Sequence, residues 1–173
     1  MQIRLTGLTV TALGASALVA GPAAGQTLDL TITIPKMTVA EYHRPYVAVW
    51  LEKEGAAPRS LAVWYDFDMK ANEGTKWLRD VRQWWRAAGR SMSFPADGVT
   101  GATRAPGTHK LSFTAGRGPM PALSGGQYTL VVEAAREVGG RELLRLPFSV
   151  PAGGTATAQG AHELGAVRLT VRR

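Results

Sequence analysis

The residues able to do chemistry in this chain are few, and most stand alone. The densest group is Asp97-Gly98-Val99-Thr100-Gly101-Ala102-Thr103, a carboxylate and two hydroxyls on a segment of small residues. Gly101 and Ala102 leave the backbone little hindered there. The same string also reads as a polar turn, because Asp-Gly and Thr-Gly are ordinary loop dipeptides between strands. Asp66 and Asp68 form a second carboxylate pair on one face of an extended segment, with no histidine near them in sequence, and read as a solvated loop. His43, His109 and His162 lack the short spacings of metal ligands and read as exposed or singly hydrogen-bonded side chains, so no metal site is assigned. Ser60, Ser91, Ser93, Ser112, Ser124 and Ser149 have no nucleophile-elbow context. No phosphate-binding glycine pattern follows a strand and opens a helix, so noncovalent dinucleotide binding has no support. No catalytic residue is assigned.

The Asp97–Thr103 string resembles the acceptor motif of flavinylated proteins, Asp-x-x-Ser/Thr-Gly-Ala-Thr, in which an FMN transferase joins FMN through its phosphate to the last threonine. Asp97 matches the leading acid, Thr100 the hydroxyl residue, Gly101 and Ala102 the small pair, and Thr103 the acceptor. Arg104-Ala105-Pro106 departs from the pattern, since flavinylated domains often continue with further hydroxyl residues. The resemblance implies covalent FMN on Thr103, with Asp97, Thr100, Gly101 and Ala102 as its cofactor-binding recognition loop. Asp97 would supply charge or a metal contact during transfer. A phosphoester keeps the cofactor attached, so the resemblance implies a protein needing no noncovalent flavin pocket of its own. The cations nearest in sequence to favour the reduced, anionic ring are Arg104 and the row Arg79, Arg82 and Arg86.

The elements that must position these residues are mostly strands. Leu28–Ile34 alternates with period two and stops at Pro35. Tyr46–Glu52 and Leu61–Tyr65, joined by a turn over Gly55–Pro58, read as a hairpin near the centre of a sheet. His109–Phe113, Tyr128–Ala134, Leu144–Val150 and Leu164–Arg172 complete seven strands. Gly139-Gly140 reads as a hairpin tip, and Pro147 places its strand at an edge or a bulge. Between strands three and four, Trp77, Leu78, Val81, Trp84, Trp85 and Ala88 recur at helical spacing opposite Lys76, Arg79, Arg82 and Arg86. This predicts one helix over Asn72–Ala88, capped by Asn72, favoured by Glu73 in its first turn and ended by Gly89. Trp77, Val81 and Trp85 are expected to seal the sandwich while the arginines stay wet. The expected fold is all-β, an Ig-like antiparallel β-sandwich with one inserted amphipathic helix.

Residues 1–25 read as a signal peptide: Arg4 is the only charge, Leu8–Ala20 is apolar, and Ala23-Ala24-Gly25 supplies small residues before Gln26. The apolar run is shorter than the roughly 20 residues of a spanning helix, and no later stretch approaches it. Export followed by cleavage is expected, leaving residues 26–173 as one domain without a membrane span. The whole chain carries a formal charge of +7, with 20 Lys and Arg against 13 Asp and Glu; losing Arg4 makes it +6. A basic exported protein seeks phosphates, anionic lipid or an acidic protein, and export argues against nucleic acid. With no cysteine, disulfides, an N-terminal lipid anchor, c-type haem and iron–sulfur clusters are excluded together.

Across the chain, Ala40–Trp50, Leu61–Tyr65, Asp97–Pro106 and Val132–Glu142 resemble a family of predicted periplasmic proteins of unknown function, number 2271 in the domain-of-unknown-function series. The resemblance implies a periplasmic location and an association with FMN transferases and membrane flavoreductase-type proteins. Separately, Gly126–Ala134 is similar to the strand-opening phrase of Ig-like hook-capping modules, which bears on fold alone. Two functional classes follow. One is a periplasmic electron carrier or accessory redox subunit, rather than a stand-alone enzyme, bearing FMN on Thr103. The other is a cofactor-free Ig-like binding module that docks on a membrane redox or transport partner through its basic helix. Flavin colour separates them.

Overall fold

A computed structural model of the protein describes residues 25–173, so the signal peptide expected over residues 1–25 lies almost wholly outside the described residues. Among the described residues, nine strands form two sheets. β1 (Thr27–Ile34), β5 (Gly107–Thr114), β8 (Gly154–Gln159) and β9 (Ala166–Arg172) make a four-stranded sheet in the order β5-β1-β9-β8. β2 (Tyr46–Glu52), β3 (Arg59–Trp64), β4 (Thr100–Gly101), β6 (Gly126–Ala135) and β7 (Arg141–Val150) make a five-stranded sheet in the order β4-β3-β2-β6-β7. All pairings are antiparallel except β3 with β4, which run parallel. The fold is the expected all-β sandwich with a small helical insertion.

Period-two patterning builds the interior. Leu28, Leu30, Ile32 and Ile34 of β1 all face inward, as do Val167, Leu169 and Val171 of β9. They meet Val47, Val49, Leu130, Val132 and Leu146 from the five-stranded sheet in one continuous core. β2 and β3 lie beside one another near the sheet centre, and Pro147 sits in the edge strand β7, the kind of strand that tolerates proline. β4 and β8 are the two strands that periodicity does not reveal. β4 is only two residues long, and Gly154-Thr-Ala-Thr-Ala-Gln159 offers no large apolar side chain to mark an inner face.

The outer face of β2 is apolar too, and the helical insertion covers it. Trp50, Val63, Tyr65 and Val131 pack there against Leu78, Val81 and Trp84. The single helix expected over Asn72–Ala88 is instead a 3₁₀ segment (Lys70–Asp80), one short α-helix, α1 (Arg82–Ala87), and a 3₁₀ turn (Gly89–Ser91). Ala71 and Asn72 lie in the left-handed region, with φ of 54° and 55°, and Asn72 caps nothing. The buried residues Leu78, Val81 and Trp84 are three apart, the repeat of a 3₁₀ turn, rather than the four-residue step of Trp77, Val81 and Trp85. Trp77 is consequently 44% exposed and Trp85 only partly covered, whereas Val81 is sealed and Arg79, Arg82 and Arg86 are exposed as expected.

Glu133 of β6 explains where α1 begins. Its carboxylate, wholly buried, accepts the N–H groups of Gln83 (2.9 Å) and Trp84 (2.8 Å), donors that the first turn cannot satisfy internally. Trp84 Nε1 donates to Ser60 Oγ of β3 at 2.9 Å. Among the described residues no helix is long and apolar enough to cross a membrane.

Candidate functional site

The Asp97–Thr103 string is a turn followed by an edge strand, and each specified residue has a local task. Asp97 and Gly98 form the tip, with Gly98 at φ +68°, which suits glycine. The Ala96 carbonyl accepts the N–H groups of Val99 (3.1 Å) and Thr100 (2.9 Å), and Thr100 Oγ1 accepts the Ala96 N–H at 2.8 Å, closing the turn. The chain then zips onto β3: Val63 N–H donates to the Val99 carbonyl (2.8 Å) and Tyr65 N–H to that of Gly101 (3.0 Å). A Cβ on Gly101 would stand 3.1 Å from Trp64 Cδ1, so this crossing favours glycine. Ala102 is exposed and Thr103 buried, at 8% exposure.

The parallel pairing decides what meets Thr103. Residues that follow two parallel strands emerge at the same end, so Asp66, just beyond β3, arrives beside Thr103, just beyond β4. Thr103 Oγ1 donates to Asp66 Oδ1 at 2.9 Å. Asp66 is exposed in a loop, as the solvated-loop reading expects, and its carboxylate also accepts the Thr103 hydroxyl, which makes it a site residue. No local pattern could have found it, because the pairing depends on strand order. Gly74 holds this corner: a Cβ there would run into the Asp66 carbonyl oxygen, and the Gly74 carbonyl accepts the Tyr46 hydroxyl at 3.1 Å.

Asp97 does not join Thr103. It lines a hollow at the other end of β3, beside Arg59, Ser60 and Pro119. The five motif residues therefore occupy a line along the sheet edge rather than one pocket. The cations nearest in sequence are placed elsewhere as well. The Arg104 guanidinium lies 5.3 Å from the centre of the Trp64 ring, whose other neighbour is His109, edge-on at 5.8 Å. None of Arg79, Arg82 and Arg86 borders the hollows at Thr103.

Thr103 borders two adjoining hollows, of about 340 and 380 Å³, that share Arg44, Asp66 and Met69. The first is walled by Tyr42, Tyr46, Trp77 and Arg136, at the end of the five-stranded sheet where β2 starts and β6 stops. Arg136 is buried in a bidentate pair with Glu163 (2.9 and 3.2 Å), so its charge is balanced. Arg44 forms no ion pair among the described residues. The Tyr42 hydroxyl is out of solvent and has no hydrogen-bond partner among the described residues. Burial raises the Tyr42 phenol above its ordinary value, against the lowering pull of Arg136 and Arg44. Burial likewise pushes Tyr46 up to about 12, so both phenols keep their protons at neutral pH.

The histidines are dispersed. His43 contacts Glu41 (2.9 Å) and Glu137 (3.6 Å), His109 contacts the Ala105 carbonyl (2.8 Å), and the His162 N–H donates to Glu142 (3.1 Å). Among the described residues no three His, Asp or Glu side chains form a metal-holding group.

A family model described as predicted periplasmic protein (DUF2271) matches residues 27–166. No curated protein and no solved structure matches the chain.

Proposed function

The chain belongs to this family of predicted periplasmic proteins, and we propose that it is a periplasmic electron carrier bearing FMN covalently on Thr103. In this reading it is exported with cleavage near Gln26, loaded by an FMN transferase, and exchanges electrons with a membrane flavoreductase-type protein. The observation that carries the reading is the setting of the Thr103 hydroxyl. It lies at the junction of two hollows beside an unpaired arginine, while the other motif hydroxyl, Thr100, is spent on closing the turn.

The residues fit the group. Asp66 Oδ1 holds the Thr103 hydroxyl proton, and Thr103 Oγ1 accepts no hydrogen bond among the described residues, so its lone pairs are free to form an ester bond. Arg44, which borders both hollows, would balance the phosphodiester charge. Ala102 is exposed on the sheet edge, the side from which a transferase reaches the loop. Bound FMN supplies one- and two-electron transfer.

Co-expression with an FMN transferase tests this by intact mass. Wild type should gain one FMN less a water, Thr103→Ala nothing, and Thr100→Ala part of the wild-type load. Flavin on Thr103→Ala would refute the acceptor assignment. If wild type stays unmodified, the cofactor-free binding module takes over, with the exposed row Arg79, Arg82 and Arg86 as its docking face.

A further inference from the structure

Resting on the reading of Thr103 as the acceptor, we propose that the first of the two hollows beside it, between Tyr42 and Trp77, seats the isoalloxazine ring of the attached flavin. Trp77 forms its apolar wall, with Met69 beside it. This departs from the expectation that a phosphoester makes a pocket unnecessary.

Independent features of the hollow converge on a planar, partly polar occupant. Its volume, about 340 Å³, falls in the range of small-molecule sites, roughly 300–1,000 Å³. Trp77 is 44% exposed and Met69 42%, so large apolar surface stands uncovered in a concave place, where an aromatic ring would cover it. Arg44 borders the same space without an ion pair among the described residues, next to the carboxylates Asp66, Asp80 and Glu137, and is the cation there for an anionic linkage at Thr103. The wall is firmly held: Tyr46 ties its hydroxyl to Gly74 at 3.1 Å, and Gly74 packs on Asp66. The hollow of about 600 Å³ around Lys53 is larger, but it lies away from Thr103 and its Lys53 Nζ is already bound by Ser124 Oγ at 2.6 Å.

The test uses the exported chain co-expressed with an FMN transferase, with loading confirmed by intact mass. Flavin emission, circular dichroism in the flavin bands and quenching by iodide are then read. Loaded wild type should lose most of the emission of free FMN, because an indole against the ring quenches it. It should also show induced dichroism and resist iodide, and unfolding in urea should restore free-like emission. Trp77→Ala should recover emission in the folded state, at unchanged FMN mass and unchanged far-ultraviolet dichroism. Free-like emission with no induced dichroism in mass-confirmed wild type overturns the ring seat while leaving the acceptor reading intact. Emission unaltered by Trp77→Ala overturns it likewise. Absence of the FMN mass from wild type overturns both.

Discussion

Thr103 Oγ1 and Asp66 Oδ1, from residues 37 positions apart, meet at 2.9 Å because β3 and β4 run side by side in the same direction. The contact ties the motif loop to the sheet, and the proposed esterification would break it by removing the only hydrogen that Thr103 Oγ1 can donate. In the unmodified protein, Asp66→Asn and Thr103→Val should each cost about 1 kcal/mol in urea denaturation, and the double variant little more. In flavinylated protein the effect of Asp66→Asn should reverse sign, since a phosphodiester anion then faces the carboxylate. The same sign in both forms would show that the two groups do not meet.

Gly74→Ala should destabilise by about 1–3 kcal/mol, because the new methyl collides with the Asp66 carbonyl oxygen. At Gly125 an added Cβ meets only the Val150 carbonyl oxygen, at 3.7 Å, so Gly125→Ala serves as a near-neutral control. Thermal melts of the two variants check the contrast. Equal shifts would mean that the corner yields.

Trp84→Ala should cost about 3–5 kcal/mol, since Trp84 is fully buried and its indole N–H bonds Ser60 at 2.9 Å. Trp77→Ala should cost at most about half a kcal/mol in the unmodified protein. Chemical denaturation ranks them, and a reversed order would restore the four-residue face.

Glu142 contributes to stability on the acid side. Burial works to raise its pKa, but the N–H groups of Ala161, Leu164 and His162 outweigh burial and lower it below 4.5. The folded state therefore binds this proton less readily than the unfolded chain. The stabilisation is complete above about pH 4.5 and is lost as pH falls through the folded value. Glu142→Gln should melt lower than wild type at pH 7, with the gap narrowing towards pH 3. Parallel melting curves across that range would contradict this. Glu133 has the opposite sign: burial, only partly offset by the Trp84 and Gln83 N–H groups, raises its pKa, so its contribution declines as pH rises from 4.5 through that value.

By itself the sequence determined the sandwich. Alternation in Leu28–Ile34 and Val167–Val171, the double-sided apolar run of Tyr46–Leu51 and the edge-marking Pro147 all act through neighbours in the chain, and local periodicity suffices to read them. It also marked the Asp97-Gly98 dipeptide as a turn. Only the tertiary structure decided that Leu78, Val81 and Trp84, not Trp77 and Trp85, cover the outer face of β2. That choice followed from the buried Glu133 carboxylate, which sets the start of α1 from 50 residues away. Only the tertiary structure, too, separated Asp97 from Thr103 and brought Asp66, Arg44, Tyr42 and Trp77 to the latter. The pattern of side chains along a strand tells which face each one takes, but which strand ends lie together depends on the order of strands in the sheet, and a parallel neighbour such as β4 leaves no local trace of its partner.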